Sequence, residues 1–209
     1  MLKKTIKLDR LDYFEAIEKS LGNAKELIEE AEILAEKNKV ARAYTLFQFS
    51  IEEVGKAFLT FNFVLKGDIE SDVETKKFYK NFINHLAKTE FSQGIDFMFA
   101  IMADKSDLTK KLLENSFFEL GKVHISNDYK NYSLYTSLID NKFHKPSEII
   151  TKEKLDKIAY YAKLRLQVAE PFLNLGIQNF DVLYETRNNL DEETTSIEGY
   201  KKIKEILKN

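Results

Sequence analysis

Residues 40–65 read VARAYTLFQFSIEEVGKAFLTFNFVL, and this stretch decides the fold. Ala43, Tyr44, Phe47, Ile51, Val54, Ala57, Phe58, Phe61 and Leu65 recur every three or four residues, the period of an α-helix. Phe49, Leu59 and Phe63 extend the apolar surface around the other sides. A helix with one apolar stripe lies at a surface, whereas one apolar around most of its circumference lies at the centre of a bundle. The expectation is a central helix, stopped by Gly67 and packed by several neighbours.

The flanking sequence supplies those neighbours. Upstream, Leu11, Phe14, Ile17, Leu21, Ala24, Leu27, Ile28, Ala31 and Leu34 predict a helix over about 9–38, N-capped by Asp9. Gly22 is expected to weaken or bend it, or to let another helix come close. Downstream, Ser71 and Glu74 have the spacing of a capping box. They open a third helix burying Phe78, Phe82 and Leu86, and extending to Phe91, Ile95 and Phe99 with a kink at Gln93-Gly94. A further helical stretch is expected from Ser106 to Leu120.

Residues 122–150 break this rhythm with asparagine, tyrosine, serine and histidine. The piece from Tyr129 to Tyr135 reads as short extended chain or an irregular connection, and Pro146 disfavours the α conformation at Lys145. Thr151 then N-caps a helix reaching about Leu175, with Pro171 kinking or shortening its end and Gly176 stopping it. Short helices follow over about 180–184 and 197–207. The whole reads as an all-α protein: a single-domain antiparallel multi-helix bundle over residues 1–209, with a long irregular segment before the penultimate helical region.

Composition narrows the function classes. Lysine and arginine total 32 against 34 acidic residues, a formal charge of −2, so no general attraction to nucleic acid is expected, although a local basic patch remains open. The chain has no cysteine, which removes disulfides, thiolate nucleophiles and cysteine-bound metals. No apolar signal segment follows Met1-Leu2-Lys3-Lys4 and no run is long enough to span a bilayer, so a cytoplasmic protein without membrane contact is expected. There is no phosphate loop, dinucleotide glycine pattern or nucleophile elbow, and His85, His124 and His144 form no compact metal motif. Neither a metal nor another cofactor is expected.

The informative residues are polar ones inside apolar helices. On the helix of residues 40–65, Arg42, Glu53 and Lys56 fall within roughly 60° of one another at 100° per residue, beside Thr45, Leu46 and Phe49. Glu52 lies near the edge of that face. Lys56 is three residues from Glu53 and four from Glu52, so it can pair with either. The group reads as a polar pocket between helices or as an internal ion-pair network that sets helix register, and pairing is required in both cases because an unpaired buried charge is costly. Gly55 permits a close helix approach.

On the third helix Asn81, His85 and Lys88 are spaced to share one face. An imidazole titrates near neutral pH, which suits His85 to general acid or base work, and Lys88 can neutralise an anion. The alternative is a histidine that satisfies a buried acceptor beside a solvated lysine. Tyr129, Tyr132 and Tyr135 recur every three residues around Lys130. They suit base stacking with phosphate contact, and equally suit packing or a dimer contact.

At these motifs the sequence resembles the AbiV family of abortive infection proteins. Residues 43–57 resemble its apolar helix ending in Ser-x-Glu-Glu-x-Gly-Lys, here Ser50, Glu52, Glu53, Gly55 and Lys56. Asn84-His85-Leu86-Ala87-Lys88 resembles the following His-x-x-Lys element. Ser133-Leu134-Tyr135 and Pro146 to Thr151 resemble the Leu-Tyr segment and the approach to the next helix. The resemblance implies bacterial phage defence, an activating phage protein as partner, and arrest of growth or impaired translation. It also implies similarity to the broader HEPN class of helical, often dimeric, nucleic-acid-associated proteins.

Many catalytic HEPN members carry arginine, four to six residues, then histidine. No arginine here stands at that distance from a histidine; Lys80 does precede His85 with four residues between, but lysine lacks the guanidinium fork.

Three functions follow. The first is an anti-phage effector, held in check until a phage protein binds and acting on RNA or the translation machinery, with Glu53, Lys56, His85 and Lys88 as its central residues. Arg42, Glu52, Lys80, Asn81, Lys130, Tyr132 and Tyr135 would then form its polar pocket or RNA-binding surface. The second is a metal-independent endoribonuclease in which His85 moves a proton during attack by a 2′-hydroxyl while Lys56, Lys80 or Lys88 stabilises the phosphate charge. The third is a noncatalytic helical interaction module, and a homodimer suits all three.

Overall fold

The computed structural model describes residues 8–89, 91, 92 and 122–189, with side chains from residue 127 in the last stretch. The helices expected over 106–120 and 197–207, the kink at Gly94 and the side chain of His124 lie outside the described residues.

Two long helices form an antiparallel hairpin, α1 (Arg10–Glu36) and α2 (Val40–Lys66). Asp9 caps α1 by accepting from the Asp12 backbone N–H at 3.0 Å, while the Asp12 carboxylate accepts from the Asp9 N–H at 2.8 Å. The turn between the helices places Asn38 at a positive φ of 56°, a conformation that asparagine tolerates. Next come α3 (Asp72–Ile83), helical residues 85–89, and α4 (Lys122–Leu134). A hairpin of β1 (Ser137–Ile139) and β2 (Lys142–His144) leads to the short α5 (Pro146–Ile149), then α6 (Lys152–Gln178) and α7 (Phe180–Asn188).

The all-α reading holds, and the central helix is where its circumference put it. Of the 27 residues of α2, 18 are buried, and α2 touches α1, α3, α4, α5, α6 and α7. Two apolar clusters meet along it. One joins Tyr44, Phe47 and Ile51 to Ile28 of α1 and Leu155, Ile158 and Tyr161 of α6. The other begins at Val54 and joins Phe58, Phe61 and Phe63 to Tyr13, Ile17, Phe78, Leu173 and Phe180. Glu52 and Glu53 fall between Ile51 and Val54, at the handover from one cluster to the other. No described helix is long and apolar enough to cross a membrane.

Several local expectations change. The third helix stops at Ile83, because Asn84 takes an extended backbone and its side-chain oxygen accepts from the backbone N–H of Leu86 at 2.9 Å. Asn84 thereby caps the turn that carries His85, so Asn81 belongs to a different helix from His85 and Lys88. The Ser71 hydroxyl accepts from the Glu74 N–H at 3.4 Å, which is half of the expected box.

Tyr129 to Leu134 is helical; the non-helical interruption is confined to the hairpin and its flanks. Its turn residues Asp140 and Asn141 both have positive φ, as a tight hairpin requires. α6 runs through both Pro171 and Gly176. Gly176 serves close packing instead of termination: a Cβ there would lie 2.7 Å from the Phe61 ring. Gly22 faces open space, so no helix approaches it.

Candidate functional site

The polar centre forms where three separate segments converge on Glu52. Its side chain is only 4% exposed. Oε2 accepts from His85 Nδ1 at 2.5 Å and lies 3.2 Å from Lys88 Nζ, while Oε1 accepts from Lys130 Nζ at 3.2 Å. Both lysine side chains are 6% exposed, whereas that of His85 is 54% exposed. The cluster is therefore a buried carboxylate and two buried ammonium groups with an imidazole at the surface.

Backbone geometry brings these groups together. Gly55 lies one turn beyond Glu52, and a Cβ there would fall 1.9 Å from the backbone oxygen of Lys88. The missing side chain lets the 85–89 segment lie directly on α2. On the other side, Thr45 lies seven residues before Glu52 on the same face of α2. Its hydroxyl lies 2.7 Å from the Ser133 hydroxyl, and Ser133 also donates to the Lys130 carbonyl at 2.6 Å. Thr45–Ser133 and Glu52–Lys130 thus join α2 and antiparallel α4 along one line. Arg42 adds a bond from its guanidinium to the carbonyl of Leu134 at 3.0 Å, satisfying a carbonyl at the end of α4.

The chemistry follows from the donor set. An ionised carboxylate only accepts, so the Glu52 contact places the imidazole proton on Nδ1 and leaves Nε2 of a neutral ring as an acceptor facing outward. A carboxylate behind a histidine orients the ring and fixes its tautomer. The two lysines supply positive charge in a setting where water screens it little.

The family model for AbiV, of the HEPN group, matches residues 12–167. The chain belongs to the AbiV family. The matched span contains Glu52, His85, Lys88 and Lys130, together with the AbiV motif residues Ser50, Glu53, Gly55 and Lys56. Membership carries a general role in abortive-infection defence. Searches of curated proteins and of solved structures return no significant match.

Within this AbiV fold the residues singled out in the sequence separate. Glu52, His85, Lys88 and Lys130 come together. Glu53 turns instead to Lys56, whose ammonium sits 5.3 Å from the centre of the Phe82 ring. No described contact joins that pair to His85. Lys80 is exposed, and Asn81 accepts at its carbonyl from the Asn84 N–H. Tyr129 packs between Tyr44 and Tyr132, with ring centres 6.5 and 6.0 Å away, and Tyr135 is exposed. The three tyrosines are therefore not a shared platform around Lys130, whose ammonium points into the core.

Sequence reasoning ranked Glu53 over Glu52 because Glu53 fell beside Arg42 and Lys56 on the helical wheel. The better signal was Gly55, which marks where another backbone contacts α2 and lies on the Glu52 side. Arg165 was overlooked as a site candidate. It is 3% exposed, donates to the Ser92 hydroxyl at 3.3 Å, and lies 5.8 Å from the centre of the Tyr161 ring. Its signal was an arginine inside the apolar rhythm of the helix after Thr151.

Proposed function

We propose that this AbiV protein is an anti-phage effector whose working surface is the Glu52 cluster, held in check until a phage protein binds and then arresting growth or translation. The observation that carries the reading is the convergence of His85, Lys88 and Lys130 within 3.2 Å of the Glu52 carboxylate. A buried cluster of this composition is a poor way to gain stability, since apolar side chains of similar volume hold a core as well or better. A cluster that does not serve stability fits use, and the exposed His85 gives it a face toward a partner. RNA or the translation machinery is the proposed target, and a homodimer the proposed assembly.

Phage challenge at matched expression tests the reading in a host where the activating phage protein is made. The wild type is expected to restrict phage and His85→Ala to lose restriction. Equal phage yield with the wild type and with an empty vector overturns it.

The Glu52–His85 contact also favours a second reading, metal-independent RNA cleavage. His85 Nε2 accepts the proton of a 2′-hydroxyl as that oxygen attacks the adjacent phosphorus; the P–O5′ bond breaks to leave a 2′,3′-cyclic phosphate, the departing 5′-oxygen takes a proton from water, and Glu52 holds the imidazolium until it returns its proton to solvent. Lys88 or Lys130 balances the charge that builds on the phosphate. Purified wild type is expected to cleave RNA in the presence of chelator, with His85→Ala at least about a hundredfold slower. Equal cleavage by the two preparations removes His85 from the mechanism. The arginine–histidine spacing of many HEPN nucleases is not needed in this scheme, because the cations arrive from Lys88 and Lys130.

A further inference from the structure

We infer that the Glu52 cluster binds an oxyanion of the phosphate class through Lys88 and Lys130, with His85 at the opening; this deepens the effector reading and rests on it. The first reason is charge. Two buried ammonium groups share a single carboxylate, and among the described residues no second carboxylate pairs with either of them. A cluster with both lysines charged carries one positive charge more than its acid can offset, in a place where solvent offsets little.

The second reason is hydrogen bonding. Each ammonium has three protons. Among the described residues, Lys130 places one on Glu52 Oε1, and Lys88 has the ion pair with Oε2 alone. Donors left unspent in a buried site are costly, and most such groups in folded proteins find an acceptor. A tetrahedral oxyanion offers acceptors in several directions, so one ligand can serve ammonium groups that come from two different segments.

The third reason is rigidity and access. The Gly55 contact fixes the backbone of Lys88, and the Thr45–Ser133 bond fixes α4 beside α2. The donors are thus held before a ligand arrives, which lowers the ordering cost of binding. Of the four side chains only His85 is more than half exposed, so a ligand that reaches the lysines would pass beside its ring. A phosphodiester in a nucleic acid and a free phosphoryl group share this chemistry.

The test is calorimetric titration of the full chain with inorganic phosphate and, separately, with a 2′-O-methyl RNA trinucleotide, at constant ionic strength with chloride as control. The wild type is expected to bind at least one of them. Lys88→Met and Lys130→Met should each weaken binding by at least about tenfold, whereas Lys19→Met on exposed α1 should not. Tighter binding of the trinucleotide supports a phosphodiester, and tighter binding of phosphate supports a free phosphoryl group.

Should a methionine variant fail to fold, nitrogen-15 spectra of the wild-type lysine ammonium groups carry the test. The side-chain nitrogen signals of both buried lysines are expected to shift on addition of phosphate. Absence of binding by the wild type up to about 10 mM overturns the proposal. So does binding indifferent to both substitutions, or a spectrum in which neither lysine signal moves when phosphate is added. Failure of the effector reading looks different: phosphate binding persists while phage yield with the wild type equals that with an empty vector.

Discussion

The two halves of α2 both pack apolar side chains, but only the first also carries a buried ion cluster. From Phe58 to Val64 the helix sits in aromatic packing: Phe63 stacks on Phe78 at 4.4 Å, both meet the edge or face of Tyr13 at 5.4 and 5.6 Å, and Phe61 meets Phe180 at 6.1 Å. From Thr45 to Gly55 one face packs Phe47 and Ile51 against α1 and α6, and another adds directed polar contacts, Thr45 to Ser133 and the Glu52 carboxylate to Lys88 and Lys130. Apolar packing is non-directional and spread over many partners. An ion cluster is conditional, because each charge is tolerable only while the others stay. One helix can therefore carry a tolerant anchor and an exacting site a few turns apart.

Removing the shared carboxylate should break the polar half most severely. Glu52→Ala strands two buried ammonium groups and is expected to lower unfolding free energy by about 3–5 kcal/mol in urea titration. Phe63→Ala in the aromatic half should cost a similar amount, about 3–5 kcal/mol, through lost burial and a cavity. Compensation separates the two. The triple variant Glu52→Leu, Lys88→Met, Lys130→Met removes every charge together and should unfold at or above the wild-type urea midpoint while failing to restrict phage. A triple variant that restricts phage would show that the cluster's charges are not needed for defence.

Glycine substitutions come next in size. Gly55→Ala drives a methyl into the Lys88 carbonyl and should cost about 3 kcal/mol or expel the 85–89 segment, read by urea unfolding and by the His85 ring signals in proton spectra. Gly176→Ala meets only the Phe61 ring, which can give way, so about 1 kcal/mol is expected. Glu53→Ala sharpens the contrast between neighbouring acids. It breaks one local pair with Lys56 and should cost about 1 kcal/mol or less, with phosphate binding retained.

The smallest effect is confined to high pH. Burial, with Tyr79 nearby, pushes the Tyr13 phenol up to about 12, and burial beside Tyr129 also raises Tyr44. An unfolded tyrosine loses its proton near pH ~10. The folded state therefore binds more protons above that point. The stability that Tyr13 contributes is complete below about pH 10 and is lost as pH rises toward 12. Tyr13→Phe should flatten the fall of melting temperature over that interval; an unchanged slope would place the alkaline transition elsewhere.

Much of the fold was legible in the sequence. The period of the apolar residues located α1, α2, α6 and α7 to within a few residues, since burial of a helix face leaves a regular trace along the chain. The caps at Asp9 and Thr151 were readable for a local reason: the cap bond closes over three residues. The break at Asn84 escaped because the apolar rhythm runs on through Phe82 and Leu86 while a single side chain turns the backbone. Pro171 and Gly176 misled in the other direction, their local penalties being outweighed by the packing of a long helix on α2.

By itself, the sequence determined that the chain is helical, that residues 40–65 run through its middle, and that glutamate, histidine and lysine stand among apolar neighbours. Those are properties of periodicity and composition, which act within a few turns. Only the tertiary structure decided which glutamate became the hub and which lysines joined it. Glu52 and Glu53 are adjacent in the chain and differ by about 100° around the helix. What separates them is that α4 and the turn after Asn84 pack on one side of that helix. Lys130 lies 78 residues from Glu52, and no local pattern encodes a contact at that separation.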